Sequence, residues 1–112
     1  MRVRLNTERH RTQPLQHTEL RVGQLYKVLC VEYEDFRVDP IPGGKIGPVL
    51  YSWELFDIVD PSISNNWIFD VDLCDGSIYL GPPEFKVPGF WERVHDGHSD
   101  AIALYQAIAA AD

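Results

Sequence analysis

Cysteine, methionine and basic residues are scarce in this chain of 112 residues, and it contains no long apolar run. Its two cysteines form at most one disulfide, which excludes a disulfide-stapled scaffold. No run approaches the roughly 20 apolar residues of a membrane-spanning helix, so we expect no membrane association. The N-terminus has no apolar signal segment, which predicts a cytoplasmic protein with Cys30 and Cys74 as buried free thiols.

Catalytic and cofactor motifs are also missing from the sequence. There is no Gly-x-Ser-x-Gly elbow, and neither cysteine has a histidine nearby in the sequence. Residues 43–45 are not a phosphate-binding loop, because the first glycine of that motif and the Ser or Thr after its lysine are missing. Acid–base catalysis by paired carboxylates needs a cleft, which a domain of this size hardly encloses. We therefore predict a protein that is not an enzyme and that carries no cofactor.

Charge is segregated along the chain. Residues 1–18 hold four arginines and one glutamate, whereas residues 19–112 hold six Lys and Arg against sixteen Asp and Glu. We interpret residues 1–18 as a flexible basic arm and residues 19–112 as a single globular domain. An acidic body repels phosphates, so a nucleic-acid partner is disfavoured and a partner protein with a basic face is favoured.

Short apolar runs between Gly, Pro and Asp turns predict five or six strands. We expect the strands at residues 24–33, 36–38, 49–51, 58–59, 67–73 and 78–80. Apolar residues at helical spacing, Ile102, Tyr105 and Ile108, predict a terminal helix that packs on the sheet. The expected fold is mainly β with a C-terminal helix (α+β), either a small, strongly bent antiparallel sheet or an SH3-like barrel capped by that helix. An open α+β sandwich is the alternative.

Six carboxylates at two predicted hairpins form the candidate binding surface. They are Glu32, Glu34 and Asp35 at the first hairpin, and Asp70, Asp72 and Asp75 at the second. Trp53 and Trp91 each adjoin a glutamate in a short helical turn, and we expect both rings to be partly exposed. This pattern favours a non-enzymatic protein-binding domain that docks on a basic protein partner.

An alternative hypothesis is a small-ligand or metal-binding domain built from the loop 39–48 and the turn from His95 to Asp100. Two imidazoles three residues apart, with two carboxylates beside them, are donors that metal ions accept. However, Gly97 makes the segment a turn, and no distant histidine in the body completes a site. We therefore assign no metal ligands.

Two motifs resemble those of small bacterial β-rich proteins of uncharacterised function. Residues 22–28 fit an x-G-x-x-Y-x-V opening strand, and residues 48–56 fit P-x-L-Y-x-x-x-L-F. The resemblance covers residues 20–95, implies a small SH3-like β domain and transfers no catalytic residue. In size and charge the chain is also similar to immunity proteins that neutralise secreted toxins, which implies an immunity or adaptor role by analogy.

Overall fold

The computed structural model describes residues 1–6 and 19–111, which form one antiparallel sheet and two helices. The strands are β1 (Arg2–Leu5), β2 (Leu25–Glu32), β3 (Asp35–Val38), β4 (Val49–Ser52), β5 (Phe56–Asp60), β6 (Ile68–Val71) and β7 (Ile78–Gly81). One-turn 3-10 helices cover Trp53–Leu55 and Pro83–Lys86, and the α-helices are α1 (Phe90–His95) and α2 (Ser99–Ala110). The predicted α+β class, a mainly antiparallel sheet with a C-terminal helix, is confirmed.

The long strand β2 organises the sheet. The strand order is β4-β3-β2-β1-β5, while β7 pairs with the end of β2 and with β6. All of these pairings are antiparallel. The described strands do not close into a barrel, so the barrel form of the prediction is wrong.

A β-bulge sets which residues of β2 enter each of two cores. The register of β2 with β3 shifts between Val28 and Cys30, which leaves Leu29 as the extra residue. A bulge offsets the alternation of side chains by one residue. Val28 and Val31 therefore pack in one core, while Leu29 and Cys30 both pack in the other. Burial on both faces explains why β2 is a nearly continuous apolar run.

The two cores lie on opposite faces of β2. The first core joins β1, β2, β3 and β5; its buried side chains are Val3, Leu5, Leu20, Tyr26, Val28, Val31, Phe36, Val38 and Phe56. The second core joins the sheet to the helices; its buried side chains are Leu29, Cys30, Tyr79, Phe85, Phe90, Trp91, Val94, Ala101 and Tyr105. The terminal helix packs on the sheet as predicted.

The prediction of a flexible basic arm is wrong for the first residues of the chain. Residues 2–5 form β1, which pairs with both β2 and β5. Val3 and Leu5 are 0% and 1% exposed, whereas Arg2 and Arg4 point to solvent. Burial of two aliphatic side chains outweighs the charge of the arginines, which stay hydrated on the other face. The remainder of the predicted arm, residues 7–18, lies outside the described residues.

The two cysteines have different environments. Both are free thiols; Cys30 is buried in the second core, whereas Cys74 is exposed in the turn between β6 and β7. The prediction of two buried thiols is therefore correct for Cys30 and wrong for Cys74. Burial strongly raises the pKa of the Cys30 thiol, and the nearby Glu32 carboxylate adds to the effect. Cys30 is consequently a neutral packing residue at physiological pH.

Candidate functional site

Two hairpin ends meet at one end of the sheet. Because β7 pairs with the last residues of β2, the turn after β2 lies beside the turn before β7. The backbone N–H of Tyr33 donates to the Ile78 carbonyl at 3.0 Å, and the Tyr33 hydroxyl donates to Asp75 Oδ2 at 3.1 Å. The two acidic clusters, which are about forty residues apart in sequence, are thereby brought together.

Two grooves that share Tyr33 in their linings lie at this end, and we call them together the acidic surface. The Asp70 groove has a volume of about 240 Å³, and its lining includes Glu32, Asp70, Asp72 and Lys86. The Trp53 groove has a volume of about 310 Å³, and its lining includes Glu34, Trp53, Asp75 and Ile78. The structure therefore unites five of the six predicted carboxylates and Trp53. Asp35 lines neither groove and lies opposite Glu32 in the β2–β3 pairing.

Local hydrogen bonds fix the carboxylates of the second turn. The Asp72 Oδ1 atom accepts from the Cys74 N–H at 2.8 Å, and Asp75 Oδ1 accepts from the Ser77 N–H at 2.9 Å. The bonds from the backbone and hydroxyl of Ser77, together with the one from Tyr33, lower the pKa of Asp75. Hydrogen bonding to the charged form favours that form, so Asp75 is a carboxylate at neutral pH.

Not all of the negative charge is free. Lys86, the one cation that lines either groove in the described part of the chain, is ion-paired with Asp70. Glu32 Oε2 accepts from Arg37 Nε at 2.8 Å. Glu34, Asp72 and Asp75 have no cationic partner within the described residues. The net negative potential of the acidic surface therefore comes from these last three side chains.

Tyr33 has an unusual backbone conformation. It is the first residue of the two-residue turn between β2 and β3, and its φ is 58°. Hairpin turns that need a positive φ at this position favour glycine, and a bulky residue there costs about 1–3 kcal/mol. The tyrosine ring is 58% exposed and bonded to Asp75. The chain therefore keeps an exposed aromatic side chain where glycine is less strained.

Arg37 is a buried residue that the sequence pattern did not single out. Its guanidinium lies 4.5 Å from the centroid of the Trp91 ring, and its Nη1 atom is 3.4 Å from the Pro48 carbonyl oxygen. Glu32 neutralises it, and the Cys30 thiol also contacts Glu32 at 3.6 Å. Glu32 is thus partly withdrawn from the surface and supports the fold beneath the Asp70 groove.

The two predicted tryptophans have different roles. Trp53 is 38% exposed and lines its groove, in agreement with the prediction. Trp91 is 7% exposed, so its assignment as a surface residue is wrong. Helix α1 turns this ring inward, where it contacts the Arg37 guanidinium and the rings of Phe85, Phe90 and Tyr105.

The hairpin of β6 and β7 exposes apolar side chains beside the acidic surface. Phe69 and Val71 lie opposite Leu80 and Ile78 in the pairing, so these four residues share one face of the sheet. Phe69 is 65% exposed and Leu73, in the following turn, is 92% exposed. Apolar residues that alternate with polar ones along a strand usually mark a half-buried strand whose apolar face packs on a core. Instead, the first core ends before it reaches β6, and all four residues of that strand are exposed.

The elements of the alternative hypothesis lie near one another, and none of them lines either groove of the acidic surface. A pocket of about 330 Å³ between the loop 39–48 and α2 is lined by Leu29, Asp39, Pro42 and Tyr105, among others. Asp39 Oδ2 accepts from the Tyr105 hydroxyl at 3.1 Å, and burial raises the pKa of this carboxyl.

The turn from His95 to Asp100 lies outside this pocket. Gly47 packs against the His95 ring, and Arg93 pairs with Asp100. Within residues 1–6 and 19–111, no group of three or more His, Cys, Asp or Glu side chains is placed to hold a metal ion. The small-ligand hypothesis stays a prediction.

Comparison with known proteins gives no relative for this chain. No protein-family model, curated protein or solved structure matches it. The resemblance to small bacterial SH3-like domains therefore stays a prediction. Among the described residues, no helix has the length and apolar character needed to cross a bilayer.

Proposed function

We propose that this chain is a non-enzymatic protein-binding domain, with an immunity or adaptor role, whose acidic surface binds the basic face of a partner protein. The observation that carries the proposal is the meeting of the two hairpin ends. It gathers Glu34, Asp72 and Asp75 on one surface without a cation among the described residues to neutralise them. A cluster of like charge steers an oppositely charged partner and selects against acidic ones.

Apolar groups beside the charges supply the second part of an interface. Trp53, Tyr33 and Ile78 line one groove, and the exposed Phe69 lies on the neighbouring strand. Protein interfaces typically combine an apolar centre containing aromatic anchors with a polar rim. The Trp53 groove, rimmed by Glu34 and Asp75, has this composition.

The strained conformation of Tyr33 supports the same assignment. Residues held in sparsely populated conformations cluster at functional sites, because selection for stability alone removes them. Tyr33 lines both grooves, its ring is exposed to solvent and its hydroxyl donates to Asp75. A binding role explains why a ring is retained there.

The proposal is tested by removing the three free charges without altering the turn. We expect the variant E34Q/D72N/D75N to lose about threefold to 150-fold in affinity for a basic partner captured from the host lysate at low salt, because each of the three exposed charge pairs contributes about 0.2–1 kcal/mol. Asparagine retains the oxygen that accepts from Cys74 N–H or Ser77 N–H. Calorimetric titration of the purified pair gives the affinities.

A matched control removes the same number of charges elsewhere. The variant E19Q/E92Q/D96N changes three exposed carboxylates outside both grooves. We expect it to bind the captured partner with an affinity within twofold of the parent. Equal weakening by both variants would show that net charge alone drives the binding and that the acidic surface is not the site.

A further inference from the structure

Strand β6 has an open backbone edge. It pairs with β7 on one side, and in the described part of the chain no other strand pairs with it. Its sequence, Ile68-Phe69-Asp70-Val71, contains no proline and no lysine, and every residue is exposed. Proline, lysine, other charged side chains and short strand length protect the edges of natural sheets, because an open edge is a template for pairing with another chain. The four-residue β6 has one charged residue, Asp70, which repels acidic chains and attracts basic ones.

The hydrogen-bond pattern identifies which backbone groups are open. In antiparallel pairs, residues that bond to the partner strand alternate with residues that do not. The Asp72 N–H donates to the Ser77 carbonyl at 2.9 Å, so Asp70 and Ile68 also bond toward β7. The N–H and C=O groups of Phe69 and Val71 therefore point away from β7.

An independent contact agrees with this assignment. The carbonyl of Ile78, which lies opposite Val71, accepts from the Tyr33 N–H and is thus directed toward the turn after β2. It is not directed at β6. Phe69 and Val71 accordingly present two donors and two acceptors in the register that an added strand needs.

We propose that β6 binds its partner by strand addition, with an extended basic segment of the partner pairing along Phe69 and Val71. This inference rests on the proposed function and names its mode of binding. Phe69 and Val71 lie on one face of β6, whereas Asp70, which is ion-paired with Lys86, and, beyond the strand end, Asp72, which has no cationic partner among the described residues, lie on the other. The complementary segment therefore alternates apolar residues with lysine or arginine.

Charge selects a basic partner over a second copy of this chain. In antiparallel pairing of two β6 strands, a centre at Asp70 puts the two Asp70 side chains opposite each other, and a centre at Val71 puts Asp70 opposite Asp72. Like charges directly opposite destabilise a pair of strands, whereas a centre at Phe69 puts Asp70 opposite Ile68 and avoids this repulsion. Each copy also carries a formal charge of −7, which opposes self-association.

The test uses a synthetic probe, an acetylated and amidated hexapeptide that alternates lysine and valine. Backbone amide exchange is followed by NMR with and without the peptide. We expect the amides of Phe69 and Val71 to exchange at least tenfold more slowly in the complex. The amides of Ile68 and Asp70, which already bond to β7, should change less. A peptide with the same six residues in two blocks, and one that alternates glutamate and valine, should give no such protection.

Substitution at Val71 provides a second readout. V71P removes the outward N–H and should weaken binding of the alternating peptide at least tenfold, whereas V71T retains the N–H and should bind within threefold of the parent. Proline is tolerated at edge positions whose N–H faces solvent. If V71P fails to fold, the exchange pattern of the parent chain still decides the question.

Three results would overturn strand addition. The first is saturable peptide binding without protection of Phe69 and Val71. The second is no binding of the alternating peptide at millimolar concentration. The third is protection of the same two amides in a dimer seen by sedimentation without peptide, because the occupant is then a second copy. In each of these cases the proposed function is judged separately, by the affinity of E34Q/D72N/D75N for the captured partner. If that variant still binds more weakly than the parent, the acidic surface is the binding site and only strand addition is wrong.

Discussion

Arg37 shows how a single charged residue can be held inside a small domain. It is 9% exposed, it donates to Glu32 and it stacks on the Trp91 ring. Buried charges are tolerated when they are paired and hydrogen-bonded, and arginine suits such sites because its planar group both donates and stacks. This interaction ties β3, the end of β2 and helix α1 together beneath the acidic surface.

Replacing Arg37 should therefore destabilise the fold. We expect R37M to lower the free energy of unfolding by about 2–3 kcal/mol. This is somewhat less than the cost of breaking a fully buried ion pair, because the Glu32 side chain is 29% exposed. The loss comes from leaving Glu32 beside an apolar group. Urea unfolding followed by tryptophan fluorescence gives the value.

The double variant E32Q/R37M is the control for this prediction. Glutamine removes the uncompensated charge, so the double variant should recover part of the lost stability. A cost below 0.5 kcal/mol for R37M, or no recovery in the double variant, would show that the ion pair does not support the fold.

The sequence around Arg37 and Trp91 did not reveal their contact. Arg37 lies between Phe36 and Val38, and strand alternation alone assigns such a residue to a solvent face. It is buried because α1, more than fifty residues later, covers that face. Contacts between residues so far apart in the sequence depend on the topology of the fold, and the local sequence pattern does not predict them.

At the scale of elements, the sequence predicted the positions of strands better than it predicted which elements pack against them. The runs at β2, β3, β4 and β7 have the expected type and position, since turn residues separate each from the next. Strand β1 was missed because four residues are too few for a clear period and because two of them are arginines. Its alternation of Arg2, Val3, Arg4 and Leu5 was the available signal.

Strand β6 shows the opposite error. Its apolar alternation is typical of a strand with one buried face, but the structure leaves that face open. Whether a face is covered depends on neighbouring elements, and no strand or helix of the described residues lies over Phe69. An exposed apolar residue on an edge strand therefore indicates a surface for another molecule more directly than the alternation itself does.

The assignment of β1 to the sheet predicts that its inward residues stabilise the whole domain. We expect L5A to cost about 2–5 kcal/mol, because the side chain is 1% exposed and its removal leaves a cavity in the first core. The matched variant R4A, on the outward face of the same strand, should change stability by about 0.5 kcal/mol or less. Thermal and urea unfolding of both variants measure this. Equal small effects would show that β1 detaches from the sheet in solution.

At the scale of the whole molecule, the acidic charge and the open edge should act on different steps of binding. Residues 19–112 carry ten more acidic than basic side chains, so their field extends beyond the contact itself. Exposed charges interact over a Debye length of about 8 Å at physiological ionic strength, and raising the salt to 1 M shortens it to about 3 Å. Long-range steering changes the association rate, whereas short-range apolar and backbone contacts set the dissociation rate.

Kinetics with the captured partner should separate the two contributions. We expect the association rate constant of the parent chain to fall at least tenfold between 0.05 M and 0.5 M salt, while its dissociation rate constant changes less than threefold. E34Q/D72N/D75N should associate slowly at every salt concentration, and F69A should associate normally but dissociate faster, because it keeps the charges and loses the exposed ring. Surface plasmon resonance with the partner immobilised measures both constants. An association rate that is independent of salt would contradict electrostatic steering by the acidic body, and the basic character of the partner would then have no physical support.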